Sequence, residues 1–164
     1  MKFTIRKKKI PVDRIEDPGL VSLLAYWDSK RRGRCCPARP DIDPLEIKKL
    51  LPQLFLVDVH GEPPVFRYRL VGTEIVQRYG RNDTGETLDA ISDATMRETV
   101  RRQYLAAIEI CGPICHHNRF VFADYRILEY RRLLLPLSPD AENINMLLGG
   151  VHYISVKGDP PAAK

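Results

Sequence analysis

The chain has 164 residues, 26 lysines and arginines against 21 aspartates and glutamates, a net charge of +5 and 44% hydrophobic residues. That length and apolar content suit one domain with a buried core, and no apolar stretch approaches the roughly 20 residues that cross a bilayer. The positive charge is divided among Lys2, Arg6, Lys7, Lys8, Lys9 and the arginine pairs at 31/32, 101/102 and 131/132, so it draws no single basic stripe.

Residues 1–16 read as a basic extended arm. Pro11-Val12-Asp13-Arg14 follows the lysines where a secretory signal would place its hydrophobic core, which points to the cytoplasm. Cys35, Cys36, Cys111 and Cys115 are expected to stay reduced there. Asp17-Pro18-Gly19 opens a helix over 17–32, with Asp17 as the side-chain cap and Pro18 at the first helical position. Leu20, Leu23, Leu24 and Trp27 form its apolar stripe, Arg31 and Arg32 suit the negative end of its dipole, and Gly33 ends it in the left-handed conformation. Residues 36–44 carry three prolines and form a rigid loop, in which Arg39 and Asp41 could pair to brace the helix; a short helix over 44–50 follows.

Gln53–Val59 and Val65–Val71 have strand composition, and Gly61-Glu62-Pro63-Pro64 between them turns the pair into a hairpin. A helical turn runs from Thr73 to Tyr79-Gly80. A longer helix begins near Ser92 and ends at Cys111-Gly112-Pro113, with Met96, Val100, Tyr104, Ala107, Ile108 and Cys111 on one face and Glu98 spaced to pair with Arg101 and Arg102. Three strands close the domain, at about 114–123, 126–137 and 144–156, the first two joined by an Ala123-Asp124-Tyr125 turn. Leu133-Leu134-Leu135 and Met146-Leu147-Leu148 are apolar on both parities, so these strands are covered on both faces, the inner by the 92–111 helix and the outer by the 17–32 helix. Residues 157–164 read as a disordered tail, which leaves 17–156 as the domain.

Tyr26-Trp27 through Arg34, the loop from Pro37 to Pro44, Phe66-Arg67-Tyr68-Arg69-Leu70-Val71-Gly72-Thr73, Tyr79-Gly80 through Thr84-Gly85, and Leu133-Leu134-Leu135-Pro136-Leu137-Ser138 together resemble the short, often stand-alone bacterial PAS-domain proteins over about residues 20–152. The resemblance implies an α+β fold: a five-stranded antiparallel sheet in the order 2-1-5-4-3, with helices inserted between the second and third strands. It also implies a module that senses a ligand or binds a partner protein and commonly dimerises through an N-terminal helix. It carries no universal catalytic residues.

Candidate ligand-orienting groups follow from strand parity. With Phe120 and Phe122 on the inner face, His116 shares that face and His117 turns away. Tyr68 joins Phe66 and Leu70, His152 joins Met146, Leu148 and Ile154, and Tyr104 lies on the apolar face of the helix above. Tyr68, Tyr104, His116 and His152 are therefore the polar groups on apolar faces that could orient a small molecule; a filled core in which they bond one another is the competing reading. Cys111, Cys115, His116 and His117 suggest zinc chemistry, but Cys35 and Cys36 lie far off in sequence and no metal site is assigned. Three residues separate Cys111 from Cys115, where covalent haem attachment uses two. Non-covalent haem through His116 or His152, or a flavin, stays open.

These residues point to a non-enzymatic sensory and signalling module, with no Ser/His/Asp order or paired-carboxylate arrangement to suggest catalysis. Because the domain takes up the chain, its output is expected through contact with a separate signalling protein and a homodimer formed by the first helix. A nucleic-acid binder using the basic arm is the rival reading, weakened by dispersed charge and core-patterned tyrosines.

Overall fold

The computed structural model describes residues 6–122 and 125–154. Apolar residues on strand-forming segments build one six-stranded antiparallel sheet from β1 (Arg6–Ile10), β2 (Leu54–His60), β3 (Val65–Val71), β4 (Ile114–Val121), β5 (Ile127–Leu137) and β6 (Met146–Tyr153), in the order β1-β4-β5-β6-β2-β3. Three helices accompany it: α1 (Pro18–Arg31), α2 (Thr73–Tyr79) and α3 (Ala94–Ile110).

The sheet has six strands instead of the expected five because part of the basic arm is itself a strand. Arg6–Ile10 pairs antiparallel with β4, Lys9 opposite His116 and Lys7 opposite Asn118. Its first four residues are exposed. A run of lysines on an edge strand discourages further strands from adding to it, which gives Lys7-Lys8-Lys9 a structural role.

The two faces of the sheet hold separate apolar clusters. On the inner face Phe55, Val57, Phe66, Ile114, Tyr130, Leu134 and Val151 meet Met96, Val100, Tyr104 and Ala107 of α3. On the outer face Leu54, Leu56, Leu133, Leu135, Leu137 and Leu148 meet Leu20, Leu23 and Trp27 of α1. Strands β5 and β6 are sealed on both sides, hence their unbroken apolar runs.

Several local expectations are corrected. Residues 44–50 form a series of turns and no helix. Asp41 pairs with Arg34 at 2.8 Å instead of with Arg39, whose guanidinium donates to the Ile42 carbonyl. Helix α1 passes into the left-handed region at Arg32 (φ 50°) before Gly33 (φ 82°). On α3, Glu98 pairs with Arg102 at 2.9 Å, while Arg101 reaches Asp89. Asp93 caps α3 by accepting from the Met96 amide. A bulge in the β2–β3 ladder leaves Arg69 as the extra residue, since Val57 faces Tyr68 and Leu56 faces Leu70. It turns Leu70 away from Phe66 and Tyr68 and leaves it 41% exposed, where strict alternation put all three on one face. The turn residues Ala123 and Asp124 and the tail at 157–164 lie outside the described residues.

Candidate functional site

Between α3 and the inner face of the sheet lies a cavity of about 70 Å³, lined by residues including Phe55, Tyr68, Ile75, Ile91, Tyr104, Tyr130, Arg132 and Tyr153. The Tyr68 and Tyr104 hydroxyls share a 3.0 Å hydrogen bond. Tyr104 is fixed by the edge-on ring of Phe66, 5.3 Å between centroids, and by the Phe55 ring at 6.3 Å. Ordinary ligand pockets enclose roughly 300–1,000 Å³, so this one suits a molecule of a few heavy atoms.

Arg132 enters the same space from β5 and is 5% exposed. Its guanidinium sits over the rings of Tyr104 and Tyr130, 5.3 and 5.6 Å from their centroids. It donates through Nη2 to the Gln103 side-chain carbonyl. Gln103 in turn donates to Asn118 Oδ1 at 2.6 Å, and Asn118 donates back at 3.3 Å. The Arg132 Nε is buried with no hydrogen-bond partner. Among the described residues no carboxylate pairs with it. Burial pushes the phenols of Tyr68, Tyr104 and Tyr130 up, so they are neutral at physiological pH and lend dipoles but no negative charge. Asp83, also in the lining, lies 2.6 Å from Arg81, although that oxygen lacks a well-aligned hydrogen bond and burial pushes the Asp83 carboxyl up. Burying an uncompensated charge is costly, and that leaves Arg132 as the unbalanced group in the cavity.

The four residues singled out from sequence separate. Tyr68 and Tyr104 come together in the cavity wall. His116 lies half-buried on the inner face, outside the cavity lining, between its cross-strand partners Lys9 and Arg132. His152 is corrected: Met146 and Leu148 belong to the outer cluster, so His152 points to the α1 side and its Nε2 stands 3.3 Å from Asp17 Oδ1. The grouping of His152 with Met146 and Leu148 holds, but both faces of β6 are apolar and the pattern carries no sign of which is inner. Asp17 is 6% exposed and makes no side-chain cap to α1; it accepts from Arg131 at 2.9 Å and pins the start of α1 to the sheet. Gln103, Asn118 and Arg132 escaped the sequence reading, although Arg132 shares the parity of Tyr130 and Leu134.

Burial, then the charges of Arg132, Lys9 and Lys7, push the His116 imidazole from its ordinary 6.5 down to about 4. Between those values an unfolded chain takes up a proton that the folded one refuses, so this contribution to stability falls as pH falls from 6.5 towards 4. With partial exposure discounted, it amounts to about 1–2 kcal/mol. Urea unfolding of wild type and His116→Asn at pH 6.5 and 4.5 should show a shallower acid loss in the variant; parallel losses would refute this.

The thiols also rearrange the sequence picture. Cys35, Cys36 and Cys111 are brought within 4.8 Å of one another. Cys115 is instead buried in the outer cluster, and His117 pairs with Glu129 at 2.6 Å, so the suggested Cys111–His117 constellation does not converge.

A family model described as the PAS domain matches residues 15–152. The chain belongs to the PAS-domain family. No curated protein matches it. PAS domains are sensory and signalling modules, generally without catalysis of their own, and commonly mediate contacts between proteins. No helix among the described residues is long and apolar enough to cross a membrane.

Proposed function

We propose that this PAS domain is a non-enzymatic sensor of a small planar oxyanion, such as a short-chain carboxylate, held in the cavity by Arg132 and the Tyr68–Tyr104 hydroxyl pair. The observation that carries the reading is the buried Arg132, which lines a cavity, keeps an unpartnered Nε and has no carboxylate paired with it among the described residues, Asp83 in the same lining being paired with Arg81. A planar anion accepts two parallel hydrogen bonds from a guanidinium. A volume of about 70 Å³ supports a ligand of a few heavy atoms over a haem or flavin. In this reading the ligand changes the seating of α3 on the sheet. The output leaves by α1, whose exposed Val21 flanks a groove lined also by Val12, Leu24 and Pro113 and meets a second copy of the chain, then a separate signalling protein.

The test is thermal unfolding of the purified chain with acetate, formate, nitrate and bicarbonate at constant ionic strength, chloride serving as the baseline. At a ligand concentration 100 times Kd, linkage supplies about 2.7 kcal/mol, a rise of roughly 5–10 °C for a domain of this size. Arg132→Met removes the charge together with its bond to Gln103, which keeps only Asn118 as donor, so the variant is compared with and without each anion after its fold is checked by circular dichroism, and it should lose the response. A preference for carboxylates, or for nitrate or bicarbonate, identifies the source of the anion. No response to any of them overturns the cavity reading, and a monomer by light scattering at high concentration overturns the dimer.

A further inference from the structure

The end of α1 and the end of α3 meet at a cluster of sulfur. Arg32 and Gly33, both left-handed, swing the chain after α1 so that Cys35 and Cys36 arrive beside Cys111, the C-cap of α3, itself at φ 50°. The Cys35 and Cys111 Sγ atoms are 3.2 Å apart, and those of Cys35 and Cys36 are 3.8 Å apart. Cys36 is fully buried, Cys111 half-buried and Cys35 exposed. The Ala141 carbonyl, from the loop between β5 and β6, lies 2.9 Å from Cys35 Sγ. Residues 76 positions apart therefore place three thiols around one point, open to solvent on the Cys35 side.

We propose that Cys35, Cys36 and Cys111 are a three-thiolate site for a thiophilic d10 cation, of which zinc is the representative member, with the fourth position open to solvent beside Cys35. The spacing is the argument. A tetrahedral metal with bonds of about 2.3 Å to sulfur holds its sulfurs about 3.8 Å apart; Cys35 and Cys36 stand at 3.8 Å, Cys35 and Cys111 at 3.2 Å, and all three lie within 4.8 Å of one another. Thiolates select soft or borderline cations over magnesium or calcium. On binding, each thiol gives its proton to solvent and each sulfur gives an electron pair to the metal; no oxidation state changes. Three sulfurs also fit a metal better than a disulfide, which would leave one of them over. The bound ion would tie α1, on one face of the sheet, to α3, on the other, and this site stands whether or not the cavity binds an anion.

The experiment uses the untagged full chain, reduced and freed of metal. Cadmium titration should raise the near-ultraviolet sulfur-to-metal charge-transfer band to an end point of one ion per chain, and prior loading with zinc should shift that titration to higher cadmium. Cys35→Ser and Cys111→Ser should each lower the band and weaken zinc, read by competition with a chromophoric chelator, by no less than the roughly 10–100-fold that a second-shell change costs. Cys35 is exposed, so Cys35→Ser should keep the fold, checked by far-ultraviolet circular dichroism. Cys115→Ala should bind as wild type does. Absence of the band, its persistence in both serine variants, or a Cys35–Cys111 disulfide that binds no cadmium after reduction overturns the proposal.

Discussion

Replacing Trp27 with alanine should cost about 3–5 kcal/mol of stability, the range for emptying a buried aromatic site. Trp27 is 1% exposed and anchors α1 in the outer cluster beside Leu20 and Leu23. Its Nε1 donates to the Pro136 carbonyl at 2.9 Å, and Arg31 lies over its ring at 5.4 Å. Trp27→Phe separates the two contributions: it keeps most of the apolar contact but leaves the Pro136 carbonyl unsatisfied, at about 1–3 kcal/mol. Beneath α1, Leu133, Leu135 and Leu137 have no exposed surface, so α1 cannot leave without wetting the middle of the sheet. The urea midpoint should therefore fall in one transition with an unchanged slope. A loss below about 1 kcal/mol, or a separate early transition for α1, would show that the helix is held loosely.

The parts of this architecture that local periodicity can express are legible in the order of residues. Leu20, Leu23 and Trp27 fall on one face of a 3.6-residue repeat, as do Met96, Val100, Tyr104 and Ala107, and these are buried, while Leu24, Ile108 and Cys111 of the same stripes are half-buried and the polar Thr99 and Gln103 are buried beside them. The hairpin is marked by its turn residues. What escaped depends on partners distant in sequence. Lys7-Lys8-Lys9 reads as a solvated arm until β4 is beside it. Cys35 and Cys36 gain their chemistry only when α3 ends next to them.

The candidate site shows the same division more sharply. Tyr68 and Tyr104 could be placed because each is an amphipathic side chain on an apolar face. Arg132 could not, because an arginine beside another arginine reads as surface, although adjacent strand residues face opposite ways: Arg131 reaches Asp17 on the outer side while Arg132 enters the core. The buried Gln103–Asn118 pair has the same origin, polar residues on inward positions that become intelligible only as a bonded set.

The second large effect is expected at the middle of β6, where neither face of the strand carries a side chain. A Cβ on Gly149 would lie 2.0–2.6 Å from three ring carbons of Phe55, and one on Gly150 would lie 2.6 Å from Leu23 of α1. The two glycines thus let a ring from the neighbouring strand cover the inner face while α1 settles on the outer. Gly149→Ala should destabilise by about 3 kcal/mol, the upper end for overpacking, because Gly149 is held between β5 and β2 and Phe55 must give way. Phe55 also lines the cavity beside Tyr104, so its displacement should blunt any response to a bound anion as well. The control is Phe55→Ala, alone costing about 3–5 kcal/mol. With that ring gone the added methyl has room, so the double variant should be more stable than the sum of the single losses requires, by an interaction of about 1–3 kcal/mol. Simple additivity in that cycle would mean that the Phe55 ring is not what confines the residue at position 149.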